Sequence, residues 1–243
     1  MQVLAPAAPK RVLAPMLALR EGWQYVSRYG PIRTILLHMA TVSLLGTPYT
    51  VLMPAVATKI LHGDAHTQGY LMAGSGVGAL CGALFLATRK SVLGLGRVIS
   101  LATALLGVGL IAFSFSHVLW LSLLLLPLLG FGFMVQMASC NTLLQTIVEE
   151  DKRGRVMSFF TMSFMGTAPF GSLLAGAMSH RYGVPYTILA CGVCSLGSAA
   201  WFASRLPALR PLVHPIYRGL GILPPEVAEG ISEATELVGQ PCR

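Results

Sequence analysis

The side chains best suited to carry a proton or hold a cation inside an apolar chain are carboxylates, and this sequence keeps them all out of its apolar runs. Glu21, Asp64, Glu149, Glu150, Asp151, Glu226, Glu229, Glu233 and Glu236 account for the nine acidic residues. Carboxylates within a bilayer mark ion and proton relays, so an acidic coupling site is not expected in these runs. Amide and imidazole groups occur in only two of them, His38 in the first and Gln136, Asn141 and Gln145 in the fourth. Gln136, near the middle of its run, is a candidate to face a substrate path, with His38, Thr41 and Ser139 as further candidates. The competing reading of Gln136 is a cross-link between helices, worth on average under about 1 kcal/mol. Asn141 and Gln145 lie one helical turn apart and read first as packing or gating residues. His38 reads first as a residue near the headgroups.

Other spacings carry less chemistry. His62, Asp64 and His66, and the pair Cys191 and Cys194, have metal-like intervals, but zinc takes four ligands, or three and a water. Neither set supplies them, and no metal or cofactor is expected. The five cysteines have no framework spacing, so no disulfide is expected. No serine, histidine and acid set or pair of intramembrane carboxylates is available, which argues against an enzyme. The charged turn after the fourth run supplies Glu149, Asp151, Arg153 and Arg155, which with Asn141 and Gln145 could latch neighbouring helices in one conformation. A solvated turn is the alternative.

These residues need elements to position them, and composition says what kind. The chain is 54% hydrophobic and 11% charged, against about 25% charged residues in a typical soluble domain, and its mean hydropathy is +0.69. The apolar residues fall in runs near the roughly 20 residues that a spanning helix needs. Six spans are expected: A, 34–61; B, 69–88; C, 98–116; D, 118–148; E, 156–178; and F, 184–204. A and D exceed the needed length and contain proline (Pro48, Pro54 and Pro127), so they should tilt or kink.

The net charge of +8 could suggest nucleic acid, but no basic stripe with interleaved aromatics exists, and no such partner is expected. All of the 17 Lys and Arg except Lys59 and Arg181 lie on one side of this six-span layout. Basic residues favour the cytoplasmic side, so both termini should face the cytoplasm of a multi-pass cell-membrane protein. Residues 1–33 hold Pro6, Pro9, Pro15 and Pro31 and no continuous apolar stretch, so no cleavable signal peptide is expected. They form a cytoplasmic segment before the 34–204 membrane domain, and residues 205–243 a cytoplasmic tail. In that tail Pro207, Pro211, Pro215, Pro224 and Pro225 should break any helix ahead of a short acidic one.

Two spans carry packing patterns. Gly74, Gly78 and Gly82 recur every fourth residue in B, a stripe that lets another backbone approach closely. Gly166, Pro169, Gly171 and Gly176 in E combine a lost backbone donor with flexible residues, which marks a hinge.

The stretch Leu144-Gln145, then Arg153-Gly154-Arg155-Val156-Met157-Ser158, then Gly166, Pro169, Gly171 and Gly176, resembles the major facilitator superfamily, in its bacterial exporter branch related to the enterobactin exporter and macrolide efflux pumps. The lead-in Arg20-Glu21-Gly22-Trp23-Gln24-Tyr25-Val26 is similar to the central loop of that branch. The resemblance implies an all-α polytopic fold in which A to F are the C-terminal six helices, two three-helix inverted repeats, or half of the usual fold. It implies that A and D line the cavity, and that the chain moves a small amphiphilic compound outward by alternating access together with a second six-helix half. The B to C turn departs from the family's loop motif by lacking its acidic residue. Six spans enclose no cavity alone, so a fragment, a split transporter and a parallel homodimer are considered, in that order. A non-transporting membrane scaffold or partner-binding subunit on the same fold is the alternative function.

Overall fold

Lipid offers the backbone no hydrogen-bond partner, so a run of apolar residues must satisfy its own amides and carbonyls, and it does so as helix. The computed structural model describes residue 24, residues 26–89 and residues 91–219, and among these no strand occurs. Lys10, Arg11, Arg20, Lys90, Tyr25, lead-in residues 20–23 and the acidic tail lie outside the described residues.

Span A is built from α1 (Gly30–Thr41), a π turn (Val42–Gly46), α2 (Tyr49–Ala55) and a second π turn (Val56–Ile60). Span B is α3 (Ala65–Thr88), C is α4 (Leu95–Ser114) and D is α5 (Leu119–Ile147). Span E comprises α6 (Arg153–Thr161), a π turn (Met162–Gly166) and α7 (Ala168–Tyr182), and F is α8 (Val184–Gly219). Among the described residues five helical stretches are long and apolar enough to cross a membrane, covering A, B, C, D and F. Span E is interrupted at Thr167, and neither of its α-helical pieces has that length by itself.

Local chemistry explains the starts and bends. Asp64 caps α3 by accepting from the Thr67 amide at 3.1 Å, which satisfies one of the free donors at a helix start. That role uses the carboxylate that the metal-like spacing had singled out. Span A ends at His62, whose φ of 50° is left-handed, with the Gly63 amide reaching back to the Ala57 carbonyl at 2.8 Å. The expected break after 204 is corrected: α8 continues through Pro207, Pro211 and Pro215 to Gly219. Prolines four apart place their missing donors along one face, so the other faces keep their ladder and the helix does not stop.

Packing relates the first three spans to the last three. B packs on D as E packs on A, C packs on D as F packs on A, and C and F pack on each other. Exchanging A with D, B with E and C with F reproduces these pairs, the pattern of two three-helix repeats. Glycine makes the tightest contacts. A Cβ on Gly78 of α3 would strike the Pro127 carbonyl of α5, and one on Gly130 of α5 would strike the Ser75 carbonyl of α3. Gly107 of α4 and Gly192 of α8 pair likewise, a Cβ on either lying 2.9 Å from the other's carbonyl oxygen. Backbones this close gain dispersion and weak Cα–H contacts in surroundings where no hydrophobic effect drives association.

Candidate functional site

Two apolar clusters fill the bundle. One, at the basic end, contains Ile32, Ile35, Met39, Ile99, Cys140, Leu144, Val156 and Phe202. The other contains Val42, Leu52, Leu71, Leu106, Leu110, Leu126, Leu129 and Ile188. Where they meet, buried polar side chains from four spans form a layer: His38 and Ser43 from A, Thr103 from C, Gln136 and Ser139 from D, and Ser195 and Ser198 from F.

His38 is fully enclosed, which corrects its reading as a headgroup residue. Its Nε2 lies 3.1 Å from Thr103 Oγ1 and its Nδ1 2.9 Å from Ser198 Oγ, and its ring stacks on Phe202 at 4.5 Å between centroids. The Thr103 hydroxyl donates its one proton to the Ile99 carbonyl at 2.8 Å. It can therefore only accept from the imidazole, so Nε2 carries hydrogen and Ser198 donates to Nδ1, leaving no donor idle. His38 thus ties A to C and F, and with no accessible surface it does not line an open path in this conformation.

Gln136 is equally enclosed but poorly satisfied. Its Nε2 reaches only sulfur, Met39 Sδ at 3.4 Å and Cys140 Sγ at 3.8 Å, and both are weak acceptors. Its Oε1, and the Oγ of Ser139 one turn away on the same helix, are buried with no hydrogen-bond partner among the described residues. Leaving such a group buried and unpaired costs about 1–3 kcal/mol, and these two lie one turn apart on α5.

The other candidates are placed as follows. Thr41 is half-buried and donates to the Leu37 carbonyl of its own helix at 2.8 Å. Gln145 Nε2 donates to Asn141 Oδ1 at 2.8 Å within α5. Lys152 pairs with Glu149 and Arg153 with Glu150, both inside the D to E turn, and exposed pairs of this kind contribute about 0–1 kcal/mol. Asp151 is exposed and Arg155 half-buried. Tyr29, just ahead of span A, has its phenol pushed up by burial and then by the Glu149 carboxylate of this turn. Gly74, Gly78 and Gly82 all face α5. Gly166 and Gly176 have open space where a Cβ would stand, Pro169 lies in the first turn of α7, and Gly171 lies against the Leu44 carbonyl of span A.

Ser43, Thr103 and Ser198 were missed by sequence reasoning. Serine and threonine in apolar helices commonly bond their own preceding turn, and nothing in their spacing separates those that reach across. Ser43 does reach across, donating to the Phe164 carbonyl of span E at 2.5 Å.

Comparison with known proteins supplies context for this arrangement. The sequence profile of the transmembrane secretion effector family matches residues 5–219. The staphyloferrin A transporter of Staphylococcus aureus is 26% identical over 183 residues, covering 70% of this chain and 46% of its own length. The multidrug efflux pump Tap of Mycobacterium tuberculosis H37Rv is 29% identical over 197 residues, covering 80% and 46%. Tap of Mycolicibacterium fortuitum is 27% identical over 199 residues, covering 81% and 48%. The chain spans about half the length of these relatives.

Proposed function

Because this chain belongs to the transmembrane secretion effector family of the major facilitator superfamily, we propose that it is one six-helix half of a secondary transporter that exports a small amphiphilic compound by alternating access. The observation that carries the proposal is the pair of buried, unpaired polar atoms, Gln136 Oε1 and Ser139 Oγ, on α5. In an apolar bundle they are satisfied when a substrate with hydrogen-bonding groups reaches them, and Met39 of span A covers Gln136 in the conformation described here. A compound with polar groups on an apolar body suits both the site and its surroundings. Staphyloferrin A and multidrug transport, the activities for which the relatives are named, support a small-molecule cargo.

A second six-helix half, on the same or a separate chain, completes the cavity in this reading, which the relatives' length, about twice the stretch they share with this chain, supports. In this reading both chain ends face the cytoplasm, which the one-sided distribution of Lys and Arg supports. The membrane is the cell membrane.

The test is efflux of a fluorescent lipophilic cation from proteoliposomes holding the complete two-half transporter, comparing wild type with Gln136→Leu combined with Ser139→Ala. Loss of one or two substrate hydrogen bonds at about 1.4 kcal/mol for each tenfold should lower efflux at limiting substrate by about tenfold or more. Unchanged efflux would overturn the assignment of these residues to the path.

A further inference from the structure

Spans A and E carry the same local device. Span A reads Ser43-Leu44-Leu45-Gly46-Thr47-Pro48, and span E reads Ser163-Phe164-Met165-Gly166-Thr167-Ala168-Pro169. In each a π turn ends on the glycine, and the threonine that follows has φ and ψ of −87° and −16° in A, and −89° and −21° in E. In each that threonine hydroxyl donates to the serine carbonyl four residues back, at 2.8 Å in A and 2.7 Å in E. Proline and the widened turn both remove amides from the ladder, and an unpaired carbonyl in apolar surroundings is costly. The hydroxyls supply what the amides do not.

The two turns also meet. Ser43 of one donates to the Phe164 carbonyl of the other at 2.5 Å. A Cβ on Gly171, one turn beyond the break in E, would strike the Leu44 carbonyl and lie 3.0 Å from Pro48 Cγ. Backbone therefore rests on backbone at the level of both π turns. Thr167 Oγ1 lies 2.7 Å from the Ser163 carbonyl and 3.5 Å from that of Phe164, so a small rotation hands its one proton from the first to the second.

We propose that the π turns Val42–Gly46 and Met162–Gly166 form one coupled hinge, at which spans A and E bend together, with Gly171 on Leu44 as the pivot and the Ser43 to Phe164 bond as the clasp. A change of bend in one span moves the carbonyls that the other is seated on, so neither can straighten alone. The Thr167 hydroxyl, within reach of two adjacent carbonyls, follows the motion by changing its acceptor. This inference concerns how the helices move and stands apart from which residues meet the substrate.

The experiment measures bends directly by distances between paired spin labels in the full chain in liposomes, with the native cysteines replaced. One pair, at positions 33 and 58, spans the hinge in A, and another, at 153 and 182, spans it in E; all four residues are exposed. Gly171→Ala drives a methyl into the Leu44 carbonyl, and Ser43→Ala removes the clasp. At 1.5 Å rise per residue, a bend that deepens from about 20° to about 40° shortens the A distance by about 2 Å. The coupled hinge requires Gly171→Ala to shift the A and E distances together, and Ser43→Ala to broaden both distributions. A shift or broadening confined to one span would overturn it. If Gly171→Ala does not fold, Ser43→Ala alone decides, because it adds no atoms.

Discussion

Replacing Gly78 by alanine separates two effects of glycine in a membrane helix. The added methyl points at the Pro127 carbonyl of α5, with the rest of the Pro127 backbone directly behind it. Such an obstacle cannot rotate aside as a side-chain tip could, so α3 and α5 must move apart and weaken the Gly130 to Ser75 contact as well. Overpacking of this kind costs about 1–3 kcal/mol, and a backbone obstacle places it near the upper end. Alanine returns about 1 kcal/mol through helix propensity. The net expectation is a loss of about 2 kcal/mol. Gly76 provides the control, because it lies on the same helix with nothing within 4 Å of its would-be Cβ among the described residues. Gly76→Ala therefore keeps the propensity gain without the clash, and the two variants should differ by about 3 kcal/mol. Reversible unfolding of the chain in mixed detergent and SDS micelles, read by tryptophan fluorescence, measures both. If the two variants unfold together to within about 0.5 kcal/mol, the close approach of α3 and α5 is refuted.

His38→Ala removes two interhelical hydrogen bonds at about 0.6 kcal/mol each and a ring stack of about 0.5–1.5 kcal/mol, and it leaves a cavity beside Phe202; a loss of about 3 kcal/mol is expected in the same unfolding assay. Ser198→Ala removes one of the two bonds and should cost about a third as much. Gln136→Met exchanges a poorly satisfied amide for an apolar side chain of similar shape, so it should raise stability by about 1–2 kcal/mol while lowering efflux by the complete transporter. The Thr67 amide holds the Asp64 carboxyl below the ordinary carboxylate range, with His66 and the Thr67 hydroxyl adding to it. Because the folded value is the lower one, the cap is fully present above the ordinary carboxylate range and is lost as pH falls through that lowered value. The protection of the Thr67 amide from exchange, relative to its intrinsic rate, should fall over that acidic window and lose this pH dependence in Asp64→Asn.

Much of the fold was legible because it rests on quantities that sequence carries additively. A run of about 20 apolar residues must become helix in lipid wherever it lies, so the cores of spans A, B, C, D and F followed from hydropathy alone. The stripe of Gly74, Gly78 and Gly82 was legible for a similar reason, since residues four apart share a helix face whatever that face meets. Helix ends were less legible. Pro207, Pro211 and Pro215 each argue for a stop, yet together they lie on one face, and α8 passes through them.

The candidate site divides along the same line. Residue type alone drew attention to His38 and Gln136, since polar groups are expensive among apolar ones. Which of them is satisfied depends on side chains 65, 97 and 160 residues away in the chain, as the bonds from His38 to Thr103, Gln136 to Met39 and Ser198 to His38 show. The sequence by itself determined that the chain is helical, membrane-embedded, basic at one end and polar at a few inner positions. Only the tertiary structure decided that His38 is paired, that Gln136 Oε1 and Ser139 Oγ are not, and that the π turns of A and E meet. The physical reason is range: helix formation and burial in lipid are settled within one segment, whereas hydrogen-bond satisfaction and backbone contact are settled by distances between segments, which no local pattern contains.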